Sequence, residues 1–393
     1  MADIEYIKHY KTKEIRLSVA TLAKPSPNSL MRQISLLLVC LACLVPVLSA
    51  GPSGGCGGSL PPQPRPGHHS SVSVSLTDPG LGEVRRDYIL HLPAQYDTDN
   101  TQAVPLILDF HGWTGSASQQ MSAFYWSQVA DEDETGFIYV AMDGMSDVVG
   151  GGNYGSWNVS RTEGPLGLTC DPPLHGSYPC FSSCGGGDCS YLEDSCDWTS
   201  CHDDLAYTQA VLYQVLATYC VDTDHLHLSG ASNGGMFLYT RTLPALSASL
   251  ASLAPVAASP LRGFAGRPDS PVNIIDFHGL LDDVIPYSPE GPGNLGPGPD
   301  DTTISNDGYY YMDKMIYLTD LLSTMNCDLE SSVYKTEMDG EEGWSCVIWT
   351  GCDGGKEVVH CNGAWAHMYP FQGRVQGFRI MWRFMRDHSL TTQ

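Results

Sequence analysis

The stretch HLHLSGASNGGM, from His225 to Met236, decides how the rest of the chain is read. His225 to Leu228 is a short strand-like run, and Met236 to Arg241 continues as a helix that Pro244 ends. Between them lies a G-x-S-x-G string, Gly230 to Gly234. A serine at the centre of that string can stand on a tight strand-to-helix turn, where glycines accept the strained backbone and let neighbouring elements approach. The string alone says little, because chance supplies about 0.4 matches in a chain this rich in Gly and Ser. Gly51-Pro52-Ser53-Gly54-Gly55 also fits, but it has no strand before it. Ser232 is therefore the candidate nucleophile.

Outward from Ser232, strand-like and helix-like segments alternate. Tyr88 to Leu92, Pro105 to Phe110 (PLILDF), Phe137 to Ala141 (FIYVA), Val272 to Phe277 (VNIIDF) and Lys356 to Cys361 read as strands, several of them short apolar runs of the kind that fill a parallel sheet. Asp203 to Tyr219 carries a helical apolar stripe, with Asp203 and Asp204 placed to favour its N-terminus. Tyr309 to Met325 reads as another helix, with Tyr309, Tyr310 and Tyr311 packing at its start. The pattern predicts an α/β domain over residues 70–393, a mainly parallel sheet flanked by helices. Two segments break the rhythm and are expected as loop insertions: Cys170 to Cys201, with six cysteines, and Ser288 to Asp301, rich in Gly and Pro.

The apolar run from Ile34 to Ala50 follows Arg32 and ends in small residues, as a signal peptide does. Residues 1–50 are expected to be that signal, with Met31 an alternative start and an uncleaved anchor the competing reading. Gly51 to His69, rich in Gly and Pro, is expected to be a linker. Cys40 and Cys43 fall in the apolar run and leave 12 of the 14 cysteines, an even number that suits disulfides and a secreted, extracellular protein. The formal net charge of −24 repels nucleic acid and anionic membranes, so neither is an expected partner and neutral substrates are favoured.

A serine hydroxyl needs a histidine to take its proton and a carboxylate to orient that histidine, in the chain order Ser, acid, His for this type of turn. Past Ser232, Asp282 and Asp283 stand at a strand end, whereas Asp276 lies inside the strand and reads as structural. Of the later histidines, His360 is within the last strand and His388 near the terminus. His367 has the loop position a base requires. Backbone N–H donors for a developing oxyanion are expected from Asn233 and Trp113, with Thr114 the alternative to the latter. His111 and His278 read as structural members of their turns.

Several motifs in order now resemble one family: Tyr88 to Pro93, Pro105 to Gly112, Ala141 to Gly144, Ser156 to Asn158, Ser229 to Met236 and His278 to Tyr287. They resemble the polyhydroxybutyrate depolymerase-like, feruloyl and acetylxylan esterases of carbohydrate esterase family one, over roughly residues 84–385. The resemblance implies the α/β-hydrolase fold and a cofactor-independent serine esterase acting on plant cell-wall polysaccharide esters or polyesters. It selects Asp282 over Asp283 as the acid and places the base at His367, although Tyr369 and Phe371 depart from the family's usual residues there. It also implies a disulfide between Cys327 and Cys352.

Trp113, Tyr154, Trp157, Trp365 and Tyr369 lie near the motif loops and are candidates for an aromatic substrate wall, against the alternative that they are core residues. Asn158-Val159-Ser160 is a glycosylation sequon. The cysteine-rich segment fits no common zinc spacing, so disulfides are expected there and no metal. Two other functions stay open on these residues: a peptidase or lipase using the same triad, and a catalytically silent binding protein on the same scaffold.

Overall fold

The strand-like runs assemble into one ten-stranded sheet in the computed structural model, which describes residues 50–391 apart from 79–80, 150–151, 160–167, 172–180, 185–198, 339–340 and 370–373. Its strands are β1 (His68–Asp78), β2 (Gly82–Leu92), β3 (Val104–Phe110), β4 (Ile138–Met142), β5 (Val221–Ala231), β6 (Ser252–Val256), β7 (Asn273–Gly279), β8 (Val333–Met338), β9 (Glu341–Trp349) and β10 (Val358–Gly363). They lie in the order β1-β2-β4-β3-β5-β6-β7-β10-β9-β8. From β4 to β10 every pairing is parallel. Both flanks are antiparallel. With the G-x-S-x-G turn directly after β5, this is the α/β-hydrolase fold. β3, β4, β6, β7 and β10 are buried at every position, which is why apolar residues make up most of them.

The helices are α1 (Ala117–Ala123), α2 (Trp126–Glu132), α3 (Asp204–Thr218), α4 (Asn233–Phe237), α5 (Leu243–Leu246), α6 (Lys314–Thr324) and α7 (Val375–Arg386). α3 begins where its acids suggest, with the Asp203 side chain accepting from the Ala206 amide. α7 closes the core: Trp382 packs 4.2 Å from Phe137, and Phe378 packs edge-on against Trp126.

Three expectations change. Pro244 does not end the helix after Ser232. Leu238–Thr242 widens into a π turn, with the Leu243 amide bonding to the Leu238 carbonyl, and α5 follows directly with Pro244 as its second residue. The helix expected from Tyr309 begins only at Lys314, because Tyr310–Met312 pairs as a strand with Thr302–Ile304 and Asp313 then caps α6 through the Met315 and Ile316 amides.

The third change concerns the supposed linker. Leu48–Gln393 forms one compact unit, and Gly51 to Gly58 is stitched to its body. The Ser53 and Gly55 amides bond to Val221 and Leu216 carbonyls, the Asn100 side chain donates to the Gly55 carbonyl, and Cys56 is bonded to Cys220. A Cβ on Gly55 would lie 2.5 Å from the Tyr219 carbonyl oxygen, so only glycine fits. The disulfide closes a loop of 164 residues and, on loop entropy, stabilises the fold by about 5 kcal/mol.

Cys327–Cys352, Cys346–Cys361 and Cys184–Cys201 are also bonded. The first is the pair the resemblance implies. The signal segment and most of the cysteine-rich insertion lie outside the described residues. Among the described residues no helix is long and apolar enough to cross a membrane.

Candidate active site

Ser232 sits at the end of β5 with φ 55° and ψ −123°, a conformation that costs a non-glycine residue about 1–3 kcal/mol and persists only where its surroundings fix it. Two hydrogen bonds do so. Its amide donates to the Val256 carbonyl at 2.8 Å, and its carbonyl accepts from the Met236 amide at 2.8 Å. The flanking glycines make room, since a Cβ on Gly234 would lie 2.1 Å from the Phe110 carbonyl oxygen and one on Gly235 2.7 Å from Ala258 Cβ.

The other two expected residues meet this serine from separate loops. His367 Nε2 is 2.8 Å from Ser232 Oγ, and His367 Nδ1 is 2.8 Å from Asp282 Oδ2. A carboxylate only accepts, so Nδ1 carries the proton and Nε2 is free to accept from the serine hydroxyl. Asp282 is fully buried, and its Oδ1 accepts from the Val284 and Ile285 amides at 3.0 and 2.9 Å. Burial opposes the charge on Asp282, but hydrogen bonds from His278 and His367 outweigh it and hold the carboxyl well below its usual range. Asp283 points into solvent. The other histidines after the acid are engaged elsewhere: His360 with Asp276 inside the sheet, and His388 with the Phe384 carbonyl.

The early-strand loop lies against the serine. A Cβ on Gly112 would be 3.3 Å from Ser232 Cβ. The Thr114 amide donates to the Gly155 carbonyl at 2.8 Å, so the alternative donor is engaged within the loop. His111 shapes the loop: its Nε2 accepts from the Gly144 amide at 2.8 Å, which leaves Nδ1–H to donate to the Gly112 carbonyl at 2.7 Å. Asn233, directly after the nucleophile, clamps Trp157 through its side chain, accepting from the Trp157 amide and donating to its carbonyl.

Two members of the expected aromatic wall are not on it. Trp157 is fully buried among Phe110, Phe237 and Tyr207, and its indole N–H supports the His111 carbonyl at 2.8 Å. Tyr369 is buried against Phe124 and Phe378 and accepts from the Gln120 side chain. Both rings are buried in the packing instead of facing solvent. Trp365 is half-buried beside the acid loop, where its carbonyl accepts from the Leu281 amide. Trp113 does face solvent, with Tyr154 5.2 Å away, and Leu281 and Met368 are exposed next to the acid and the base. At the sequon, the half-buried Asn158 side-chain amide donates to the His202 carbonyl, and Ser160 lies outside the described residues.

Sequence reasoning missed what stands behind the site. Arg86 and Asp204 form a buried ion pair at 2.6 Å, and Asp204 also accepts from the Asn158 amide next to Trp157. The Ser156-Trp157-Asn158 motif was the visible signal, but nothing in the sequence joins it to Arg86. Among the described residues no group of three or more His, Cys, Asp or Glu is placed to hold a metal ion.

No family model matches the chain. Over 183 residues it is 25% identical to a bifunctional acetylxylan esterase/xylanase of Neocallimastix patriciarum, covering 47% of this chain and 20% of that protein. Over 311 residues it is 23% identical to feruloyl esterase B of Piromyces equi, covering 78% of this chain and 46% of that protein. The chain therefore spans less than half the length of these curated relatives. Among solved structures, an acetyl xylan esterase from Aspergillus awamori superposes with a TM-score of 0.45 at 13% identity, over 80% of this chain and 99% of that one. The chain thus has the α/β-hydrolase fold and is similar in sequence to proteins named as acetylxylan and feruloyl esterases.

Proposed function

We propose that this chain is a serine esterase that cleaves carboxylic esters through an acyl-enzyme. The observation that carries the reading is the unbroken line from Ser232 through His367 to Asp282, with both contacts at 2.8 Å. Ser232 Oγ attacks the ester carbonyl as His367 Nε2 takes its proton. Asp282 holds the imidazole in the required tautomer and stabilises the imidazolium that forms. The Asn233 and Trp113 amides receive the oxyanion, a contribution on the order of 3 kcal/mol per donor in such sites. His367 then returns the proton to the leaving alcohol, and water repeats the sequence on the acyl-serine.

The curated relatives point to acetylated or feruloylated polysaccharide as the substrate class, with polyesters the second candidate from the motif resemblance. Secretion fits the apolar segment before residue 51 and the disulfides. Purified protein assayed on p-nitrophenyl acetate is expected to turn over, and Ser232→Ala to lose that activity. Wild-type turnover by Ser232→Ala would end the proposal. A panel of methyl ferulate, acetylated xylan, polyhydroxybutyrate and a peptide library separates the substrate classes.

A further inference from the structure

We propose that His278 is a positioning residue of the active site, holding the Asp282 carboxylate and its turn in place for His367. The proposal rests on the reading of Asp282 as the triad acid. His278 is near the end of β7, four residues before Asp282. Its Nε2 lies 2.8 Å from the Ile285 carbonyl oxygen and 3.3 Å from Asp282 Oδ2. Both partners only accept, so Nε2 must carry the proton. The ring is fully buried and its Nδ1 has no partner among the described residues, as suits a neutral ring with that nitrogen bare. Burial pushes the ring's pKa down, and Lys314 acts in the same direction against the opposing pull of Asp282 and Asp276.

One N–H therefore serves two ends of the same turn. Its primary bond fixes the Ile285 carbonyl, and the Ile285 and Val284 amides in turn fix Asp282 Oδ1. Its longer branch reaches Oδ2, the oxygen that faces His367. The carboxylate is thus oriented from within the protein before His367 adds its own bond. Tyr287, with its ring centre 5.6 Å from that of His278, closes the remaining side.

The test compares His278→Gln, which keeps an N–H near the Nε2 position, with His278→Leu, which removes it. Rates are taken per active site titrated with a fluorophosphonate, so that misfolded protein does not count. His278→Leu is expected to lower kcat about 10- to 100-fold at unchanged KM, the range typical of a lost supporting hydrogen bond. The acid limb of kcat/KM is expected to move to higher pH, because a carboxylate that loses a donor attracts a proton on the imidazole beside it more strongly. His278→Gln is expected to restore both. Equal losses in the two variants with an unmoved acid limb would mark a packing role and overturn the proposal, as would a wild-type rate for His278→Leu.

The wild-type chain supplies a check that needs no variant. Nitrogen-15 NMR of its histidines at neutral pH is expected to find His278 neutral and Nε2-protonated, and a charged or Nδ1-protonated ring would overturn the proposal. A wild-type chain that fluorophosphonate does not label would remove the triad reading and this proposal with it. An active wild type beside an indifferent His278→Leu removes this proposal alone.

Discussion

Asp276 with His360 and Asp282 with His367 are the same residue types, 2.6 and 2.8 Å apart, on the same two strands or just beyond them. Asp276 lies inside β7 directly opposite His360 in β10, and both are fully buried. Lys314 Nζ, 2.9 Å from Asp276, neutralises the carboxylate, and the Tyr239 hydroxyl donates to it at 2.6 Å. Asp282 lies three residues beyond the end of β7, and His367 four beyond β10, where the imidazole keeps 20% of its surface exposed and meets Ser232. A histidine–aspartate pair within the sheet is locked into the core. The same pair a turn further on, past the strand ends, has one ring nitrogen left for chemistry.

That contrast can be broken from either side. Asp282→Asn is expected to lower kcat about 10⁴-fold, because an amide no longer enforces the Nδ1–H tautomer. Thermal unfolding should move by no more than a few degrees. Steady-state kinetics and calorimetry on one preparation check both statements. Lys314→Met should do the reverse. It leaves the Asp276 carboxylate buried without its cation, a loss of about 3–5 kcal/mol in denaturant unfolding, while kcat per titrated site stays within about twofold.

A third buried acid sharpens the comparison. The hydrogen-bond partners of Asp109 in β3 include the neutral groups Gln120 and Tyr139. Burial pushes its carboxyl up from 3.8 to about 7. The folded state then holds a proton that the unfolded state releases above its ordinary value, so this group lowers stability as pH rises from about 4 to about 7 and adds no further slope above that. The effect is on the order of 4 kcal/mol. Asp109→Asn should remove it, so the stability difference between wild type and variant measured at pH 5 and pH 8 is expected to change in the variant's favour. An equal difference at the two pH values would contradict a raised carboxyl.

The smallest effect concerns the rim. Trp113→Ala removes an exposed ring and leaves the backbone amide, so kcat/KM should fall about tenfold for aromatic acyl esters such as methyl ferulate and little for acetyl esters. Equal losses on both would place Trp113 in loop stability instead.

The sheet and the three residues of the candidate site were legible because each has a local signature. Central parallel strands hold short apolar stretches, and Ser232, Asp282 and His367 each stand past a strand end. Short-range competition defeated other expectations. The aromatic run at Tyr310 to Met312 found a strand partner, and Pro244 was absorbed by a π turn. Trp157 and Tyr369 lie in loops near the motifs, yet their rings point into the core, a matter of tertiary packing that spacing does not encode. The role of His278 was hidden for the same reason. A histidine at a strand end looks the same in sequence whether its ring meets water or an acid.

The central claim, that Ser232 is activated by His367 and Asp282, is tested most directly by fluorophosphonate labelling of the purified chain followed by peptide mapping. A single adduct on Ser232, formed at a rate that falls at least about 10³-fold in His367→Ala, is the result predicted. An unlabelled Ser232, or labelling as fast in His367→Ala as in the wild type, would contradict it.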